Sequence, residues 1–118
     1  MKLLIVDDSL IVRRAIERTL LGTRFTEIRV ANNGRLGVEE FKKFKPDVVT
    51  MDITMPDMDG LTALELILRE DESAIILVVS ALADRSTAVE AVDRGASGFL
   101  LKPITSESLE EAINDILT

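Results

Sequence analysis

The sequence predicts an α/β protein, a (βα)5 sandwich in which five parallel strands form one doubly wound sheet. Five short apolar runs are each followed by a segment with helical periodicity. All of the runs except the second are largely apolar, which is typical of strands whose two faces are both covered by helices. No linker-like stretch and no internal repeat interrupts the 118 residues. We therefore expect a single domain over residues 1–118.

The first two strand–helix units occupy the N-terminal part of the chain. Residues 3–6 form an apolar run that ends at two aspartates, and residues 27–31 form a weaker strand candidate. Helical spacing runs from Leu10 to Leu21. Its predicted core face consists of Ile11, Ala15, Ile16 and Thr19. Its predicted solvent face consists of Arg13, Arg14, Glu17 and Arg18. Turn residues 32–34 precede a second helix, whose apolar residues are Val38, Phe41 and Phe44.

The third unit begins with a buried strand at residues 47–51, which is followed directly by Asp52. Residues 55–60 have the composition of a loop. A helix face then recurs at Leu61, Leu64, Ile67 and Leu68.

The last two units begin with strands at residues 75–79 and 98–101. Asp84 is the predicted N-cap of the fourth helix, and Gly95 is its predicted C-terminal stop. The core residues predicted for that helix are Ala88, Val89 and Val92. Either Thr105 or Ser106 can cap the fifth helix. Its amphipathic face consists of Leu109, Ala112, Ile113 and Ile116.

Composition excludes several classes of function. The formal net charge is -7, whereas a general nucleic-acid binder would show a basic stripe, so we expect no direct contact with nucleic acid. The chain has no cysteine and no histidine, which excludes disulfides, thiolate metal sites and a histidine base. Any chemistry must therefore use carboxylates, hydroxyls, lysines and backbone amides.

Nothing in the sequence resembles a targeting or membrane segment. The apolar start at residues 1–6 is too short for a signal peptide and is followed at once by two aspartates. No stretch approaches the ~20 apolar residues that a membrane-spanning helix needs. We expect a cytoplasmic protein that does not insert into a membrane.

Functional groups follow four of the five predicted strands. The strand ends are Asp7-Asp8, Asp52, Ser80-Ala81 and Lys102-Pro103. In a doubly wound sheet, ligands bind beyond the carboxyl ends of the strands. Crowded carboxylates repel one another unless a cation is present, and Mg2+ prefers oxygen ligands. A carboxylate left free to attack could form an acyl phosphate, with lysine and hydroxyl donors around the phosphoryl oxygens.

Together these residues resemble the signature of response-regulator receiver domains, and most closely the single-domain CheY-like members. The resemblance covers essentially the whole chain, in order and at matching spacing. Its motifs are Asp7-Asp8, residues 51–56 with Gly60, Ser80-Ala81 and Lys102-Pro103. The strand order that it implies, 2-1-3-4-5, is the flavodoxin-like order for which CheY is a standard example.

The resemblance implies a role for each matching residue. Asp52 would be the phosphoacceptor, and Lys102 would pair with the phosphoryl group. Asp7, Asp8, Asp52 and the Thr54 carbonyl would hold Mg2+. The Thr54 and Ala81 amides would contact the phosphoryl oxygens. Ser80 would be the switch hydroxyl and Phe99 the switch aromatic, where many chemotaxis members have tyrosine. The Lys102-Pro103 peptide would be cis.

The resemblance also implies partners. A sensor histidine kinase would supply the phosphoryl group, and a downstream protein would bind the face formed by helix four, strand five and helix five. The predicted function is a phosphorylation-dependent switch of a two-component system, with a chemotaxis regulator favoured. The chain would be no enzyme beyond catalysing its own phosphorylation and dephosphorylation. We expect a monomer, with dimerisation on phosphorylation as an alternative.

Other functions remain open at this point. Within the family, the chain could be a phosphorelay carrier or the receiver of a larger transcriptional regulator. An aspartate-nucleophile phosphatase is disfavoured, because such enzymes need a second aspartate two residues after the nucleophile and Thr54 stands there. A nucleotide-binding module is also disfavoured, because no glycine-rich phosphate loop follows the first strand.

Overall fold

The computed structural model describes residues 1–53, 55, 58–81 and 85–118. Strands and helices alternate along the chain, as predicted. The strands are β1 (Lys2–Val6), β2 (Glu27–Ala31), β3 (Val48–Asp52), β4 (Ile75–Ser80) and β5 (Gly98–Leu101). The helices are α1 (Leu10–Leu20), α2 (Gly34–Phe44), α3 (Gly60–Glu70), α4 (Arg85–Asp93) and α5 (Ser106–Leu117).

All five strands pair in parallel, in the order β2-β1-β3-β4-β5. This confirms the predicted doubly wound sheet. The strand order reverses between β1 and β3, so that Val6 of β1 lies beside Met51 of β3. The aspartates that follow these two residues in the sequence therefore meet at the switch point, where ligands bind in this class of sheet.

Hydrophobic residues bury both faces of the sheet. On one face Leu4 and Val6 belong to a core cluster that contains α2, α3 and α4 residues, and on the other Leu3 and Ile5 join residues of α1 and α5. Alternate strand residues point to opposite faces, so a strand covered on both faces must be apolar throughout. Among the described residues, no helix combines the length and the apolar character needed to cross a membrane.

The predicted core face of α1 is wrong in detail. Ile11 is 81% exposed, whereas Ile16 and Leu20 are buried and Val12 is packed against the same cluster. These three residues follow one another at a spacing of four, so they form the stripe that faces the sheet. Arg13, predicted to lie on the solvent face, is instead partly buried.

The predicted core face of α4 is also wrong in part. Ala88 and Ala91 are fully buried, but Val89 and Val92 are 44% and 37% exposed. The small alanine side chains allow this helix to pack closely on the sheet, which leaves the valines on its outer side. Gly95 has a φ of +119° just after the helix, which confirms its predicted role as the stop. The predicted N-cap Asp84 lies outside the described residues.

Candidate functional site

The turn after β1 holds Asp7 from several directions. The Asp7 N–H donates to the Ala31 carbonyl at 3.0 Å, and the Ser9 N–H donates to Asp7 Oδ1 at 2.8 Å. A guanidinium nitrogen of Arg13 donates to the Asp7 carbonyl oxygen at 2.8 Å. The Ser9 side chain also caps α1 by accepting from the Val12 N–H. Asp7 is 1% exposed, so its backbone and carboxylate are both fixed in the protein interior.

Asp52 is the last residue of β3 and is 4% exposed. Gly60, the first residue of α3, packs directly against this strand end. A β-carbon at Gly60 would lie 2.3 Å from Ile53 Cα and 2.4 Å from the Asp52 carbonyl oxygen. The Gly60 N–H also donates to the Ile53 carbonyl at 3.2 Å. Close packing against the β3 backbone therefore explains why glycine stands at position 60.

Three carboxylates meet at the switch point. Oxygen atoms of Asp7, Asp8 and Asp52 all lie within 4.8 Å of one another. Lys102 reaches into the same space, with Nζ 3.7 Å from Asp7 Oδ2 and 3.8 Å from Asp52 Oδ2. Asp8 is exposed, so the group opens to solvent on one side. These distances confirm the prediction that Asp7, Asp8, Asp52 and Lys102 lie close together at this edge of the sheet.

Burial raises the pKa of the Asp7 carboxyl above its ordinary value, and the negative charge of Asp8 contributes in the same direction. The hydrogen bond from the Ser9 N–H and the positive charges of Lys102 and Arg13 oppose this rise in pKa. Because burial is the largest cause, ionising the Asp7 carboxyl costs free energy in the folded protein when no cation is present.

The donor set fits a hard divalent cation. Asp7 Oδ2 is buried and has no hydrogen-bond partner among the described residues, although it lies near Lys102. A buried carboxylate oxygen without a hydrogen bond is costly unless a cation contacts it. Oxygen atoms of two further carboxylates lie close enough to share that cation, and Mg2+ prefers such oxygen ligands. The predicted fourth ligand, the Thr54 carbonyl, lies outside the described residues.

The remaining predicted residues border this group. Ser80 is 1% exposed, and its hydroxyl donates to the Ala81 carbonyl at 2.9 Å. The Lys102 N–H donates to the Ser80 carbonyl at 2.7 Å, which ties the ends of β4 and β5 together. The Lys102-Pro103 peptide is cis, as expected. Phe99 is partly buried against the core cluster on the α2–α4 side of the sheet.

Sequence reasoning missed Arg13 as a contributor to the site. Its position on the charged face of the helix predicted only an exposed, solvated side chain. Its contact with the Asp7 carbonyl depends on how α1 packs on the sheet. Gly34 was assigned only to a turn. A β-carbon there would lie 2.5 Å from the Met58 carbonyl, so Gly34 also packs tightly against the segment that follows β3. Neither contact has a local sequence signal.

Comparison with known proteins agrees with this geometry. Residues 3–114 match the family described as Response regulator receiver domain. The chemotaxis protein CheY of Bacillus subtilis is 42% identical over 116 residues, which cover 98% of this chain and 97% of that protein. A chain of the CheX-CheY-BeF3-Mg+2 complex from Borrelia burgdorferi superimposes with a TM-score of 0.94 at 30% identity, covering 100% of this chain and 90% of that one.

Fold and site therefore define a two-component signalling protein, and this chain belongs to the response regulator receiver domain family. Within that family it is closely related to the CheY chemotaxis proteins, including the CheY of Thermotoga maritima at 38% identity over 98% of this chain and 96% of that protein. Its function is that of a phosphorylation-dependent switch in a two-component system.

Replacing Asp7 with asparagine is expected to stabilise the protein in the absence of divalent cations. Because the folded-state pKa is raised, the stabilising contribution of this group is fully present at low pH. It is lost as pH rises from the ordinary pKa of 3.8 through the raised pKa of the folded state. At neutral pH the substitution removes this cost. The unfolding midpoint in EDTA should rise by a few degrees, since about 1 kcal/mol moves the midpoint of a domain of this size by about 4 °C.

The same substitution should remove most of the stabilisation that Mg2+ gives the wild type, because it deletes a ligand. Both effects are measured by thermal unfolding in EDTA and in Mg2+. Glu39→Gln is the matched control, since it removes one negative charge from an exposed position on α2. Equal changes in the two variants would show that overall charge, and not the cluster, is responsible.

Proposed function

We propose that Asp52 is the phosphoacceptor of this receiver and that residues 1–118 act as one signalling domain. The observation that carries the proposal is the convergence of three carboxylates within 4.8 Å, with Lys102 between Asp7 and Asp52. Asp52 stands at the centre of the sheet, at the end of β3, where a donor can approach from the open edge. No other arrangement in the described residues brings a nucleophile, a cation site and a lysine together.

Each further residue has a proposed role. Asp7, Asp8 and Asp52 would hold Mg2+ together with the Thr54 carbonyl. Lys102 would pair with a phosphoryl oxygen, the Thr54 and Ala81 amides would donate to the others, and Ser80 would turn its hydroxyl toward the group. When bound, Mg2+ would supply positive charge to the phosphoryl oxygens. Asp7 and Asp52 are buried and Lys102 is half-buried, so water would reach the site mainly from the side of the exposed Asp8.

The proposed reaction transfers one phosphoryl group. An Asp52 carboxylate oxygen attacks phosphorus, the bond from phosphorus to the donor nitrogen or oxygen breaks, and the leaving group takes a proton from solvent. Water then attacks phosphorus, the bond from phosphorus to the Asp52 oxygen breaks, and inorganic phosphate leaves while the carboxylate is restored. The chain turns over no separate substrate in this scheme, so it acts as a switch that catalyses only its own modification. The phosphatase alternative stays disfavoured because Thr54 occupies the position of the required second acid.

The test is intact mass after incubation with acetyl phosphate, with and without Mg2+. The chain has no Trp and no Tyr, so intrinsic fluorescence does not report on the site and mass is the better measurement. We expect a single phosphoryl adduct that requires Mg2+. An unchanged mass under conditions in which calorimetry also detects no Mg2+ binding would contradict the proposal.

The proposed output surface is the face formed by α4, β5 and α5. Val89 and Val92 are exposed on α4. A cavity of about 160 Å3 lies between β5 and α5, with Phe99, Ile116 and Asp115 in its wall. Partly buried Phe99 thus connects the core behind the candidate site to this outer face. An aromatic ring at this point can transmit a change at Ser80 to the surface.

The charge of this surface favours a basic partner segment. Helix α5 carries four carboxylates and no basic residue; these are Glu107, Glu110, Glu111 and Asp115. Arg94, just after α4, is already paired with Glu65 and Glu90. Arg85 at the start of α4 offsets this negative charge only in part. An apolar surface with a net acidic border is best matched by a segment with apolar anchors and Lys or Arg around them.

Phosphoryl-like activation should change the α4–β5–α5 face. Beryllofluoride with Mg2+ imitates a phosphoryl group on a carboxylate. We expect it to shift the backbone amide resonances of Phe99 and its β5 neighbours and of α4, while amides in β2, at the far edge of the sheet, stay unchanged. The measurement is a pair of two-dimensional NMR spectra. Shifts confined to the immediate surroundings of Asp52 would contradict the switch.

Several features of the cellular role follow from the same proposal. A sensor histidine kinase supplies the phosphoryl group, and the downstream target is a protein, with no direct binding to nucleic acid and no membrane insertion. Chemotaxis is favoured by the relatives at 37–42% identity that span nearly the full chain. A phosphorelay carrier and the receiver of a larger regulator are the alternatives. The proposed site of action is the cytoplasm, as a monomer that could dimerise on phosphorylation.

A further inference from the structure

Arg13 connects helix α1 to the candidate cation site. It lies one turn inside the helix, and its side chain is partly buried and reaches back to the end of β1. There a guanidinium nitrogen donates to the Asp7 carbonyl oxygen at 2.8 Å. Hydrogen bonds to charged donors are stronger than those between neutral groups. Arg13 thus provides a charged side-chain anchor for the backbone from which the Asp7 carboxylate projects.

The other contacts of Asp7 leave its carboxylate oxygen Oδ2 available to a cation. Its N–H is fixed on the Ala31 carbonyl and its Oδ1 accepts the Ser9 N–H, whereas Oδ2 has no hydrogen-bond partner among the described residues and lies 3.7 Å from Lys102 Nζ. Because the Asp7 backbone is held at both its N–H and its carbonyl oxygen, the direction in which the carboxylate projects is fixed. Metal affinity depends on such outer contacts, because they orient the ligands.

We propose that Arg13 is a positioning residue, which fixes the Asp7 backbone so that the Asp7 and Asp8 carboxylates are placed for a divalent cation. The inference rests on the proposed cation site and adds a residue that has no place in the set predicted from the sequence. Arg13 would not touch the cation or the phosphoryl group. Its effect passes through the turn at residues 7–9, where the Ser9 N–H bond and the cap of α1 depend on the same backbone.

Substitution of Arg13 distinguishes a positioning role from a purely electrostatic effect on Mg2+ affinity. Arg13→Met removes a positive charge from an acidic site. Charge alone would therefore make Mg2+ bind more tightly. Loss of positioning should instead weaken Mg2+ binding, and we expect at least a fivefold rise in the dissociation constant measured by calorimetry. Arg14→Met is the matched control, because Arg14 is the exposed neighbour on the same helix. It should leave Mg2+ binding unchanged or slightly tighter.

A measurement in the absence of metal tests the role of Arg13 independently of the proposed Mg2+ site. In EDTA, hydrogen exchange of the Asp7 and Ser9 amides should be faster in Arg13→Met than in Arg14→Met. If wild type binds no Mg2+, the proposed function fails while the exchange rates still decide the role of Arg13. Mg2+ affinity equal to or tighter than wild type in Arg13→Met, or unchanged exchange, would overturn the inference. Should Arg13→Met not fold, Arg13→Gln, which removes the charge and shortens the side chain, is judged by the same criteria.

Discussion

Replacement of Asp52 with asparagine is expected to abolish the phosphoryl adduct. The amide has nearly the same shape as the carboxylate but lacks the anionic oxygen that would attack phosphorus. Asp52 is 4% exposed at the end of the central strand, so a neighbouring carboxylate cannot move into its position without displacing β3. Incubation with acetyl phosphate and Mg2+, followed by intact mass, should show one added phosphoryl group in wild type and none in Asp52→Asn.

Asp59→Asn is the matched control for this substitution. Asp59 caps α3 by accepting from the Thr62 N–H at 2.8 Å, and asparagine is an equally good N-cap, so the control keeps the fold. It should be phosphorylated like wild type. Unfolding curves for both variants establish that the loss is chemical and not structural. If Asp52→Asn formed as much phosphoryl adduct as wild type, the phosphoacceptor would be another residue and the proposed mechanism would be wrong.

Gly60→Ala should cause the largest loss of stability of any single-methyl addition near the site. The added carbon would overlap Ile53 Cα and the Asp52 carbonyl oxygen, which are backbone atoms that cannot turn aside. Overpacking of this kind costs about 1–3 kcal/mol and occasionally more. We expect the upper end of that range, seen as a fall of roughly 10 °C in the unfolding midpoint. Displacement of α3 from β3 should also slow phosphorylation of Asp52.

Gly22→Ala is the control for the change from glycine to alanine. Gly22 has a φ of +86°, but a β-carbon there would meet no atom within 4 Å. Its cost should therefore be conformational only, about 1 kcal/mol. Thermal unfolding and the rate of adduct formation are measured for both variants. Equal destabilisation, with phosphorylation of Gly60→Ala at the wild-type rate, would contradict the view that position 60 holds the acceptor strand by close packing.

The fold was predictable because its signals are local. The run at residues 3–6, apolar at every position, is compatible with a strand buried on both faces. Helical spacing after each run supplies the crossover that parallel strands need. Element ends were predictable to within a residue or two. β3 and β4 each extend one residue beyond the predicted strand and so include Asp52 and Ser80.

The helix faces were less predictable. Ile11 and Val89 are apolar and follow helical spacing, yet both are exposed. The side of a helix that faces the sheet depends on how the whole helix packs. A short helix with several neighbouring apolar residues has more than one set of residues that could form its buried face.

The sequence by itself determined which groups end the strands, and parallel pairing then required them to lie along one edge. Asp7, Asp8, Asp52 and Lys102 were identified in this way. Tertiary structure decided the rest: the approach of the three carboxylates to within 4.8 Å of one another, the contact of Arg13 with the Asp7 carbonyl and the absence of room for a side chain at Gly60. These depend on distances between segments far apart in the chain, and packing fixes such distances while local residue patterns do not.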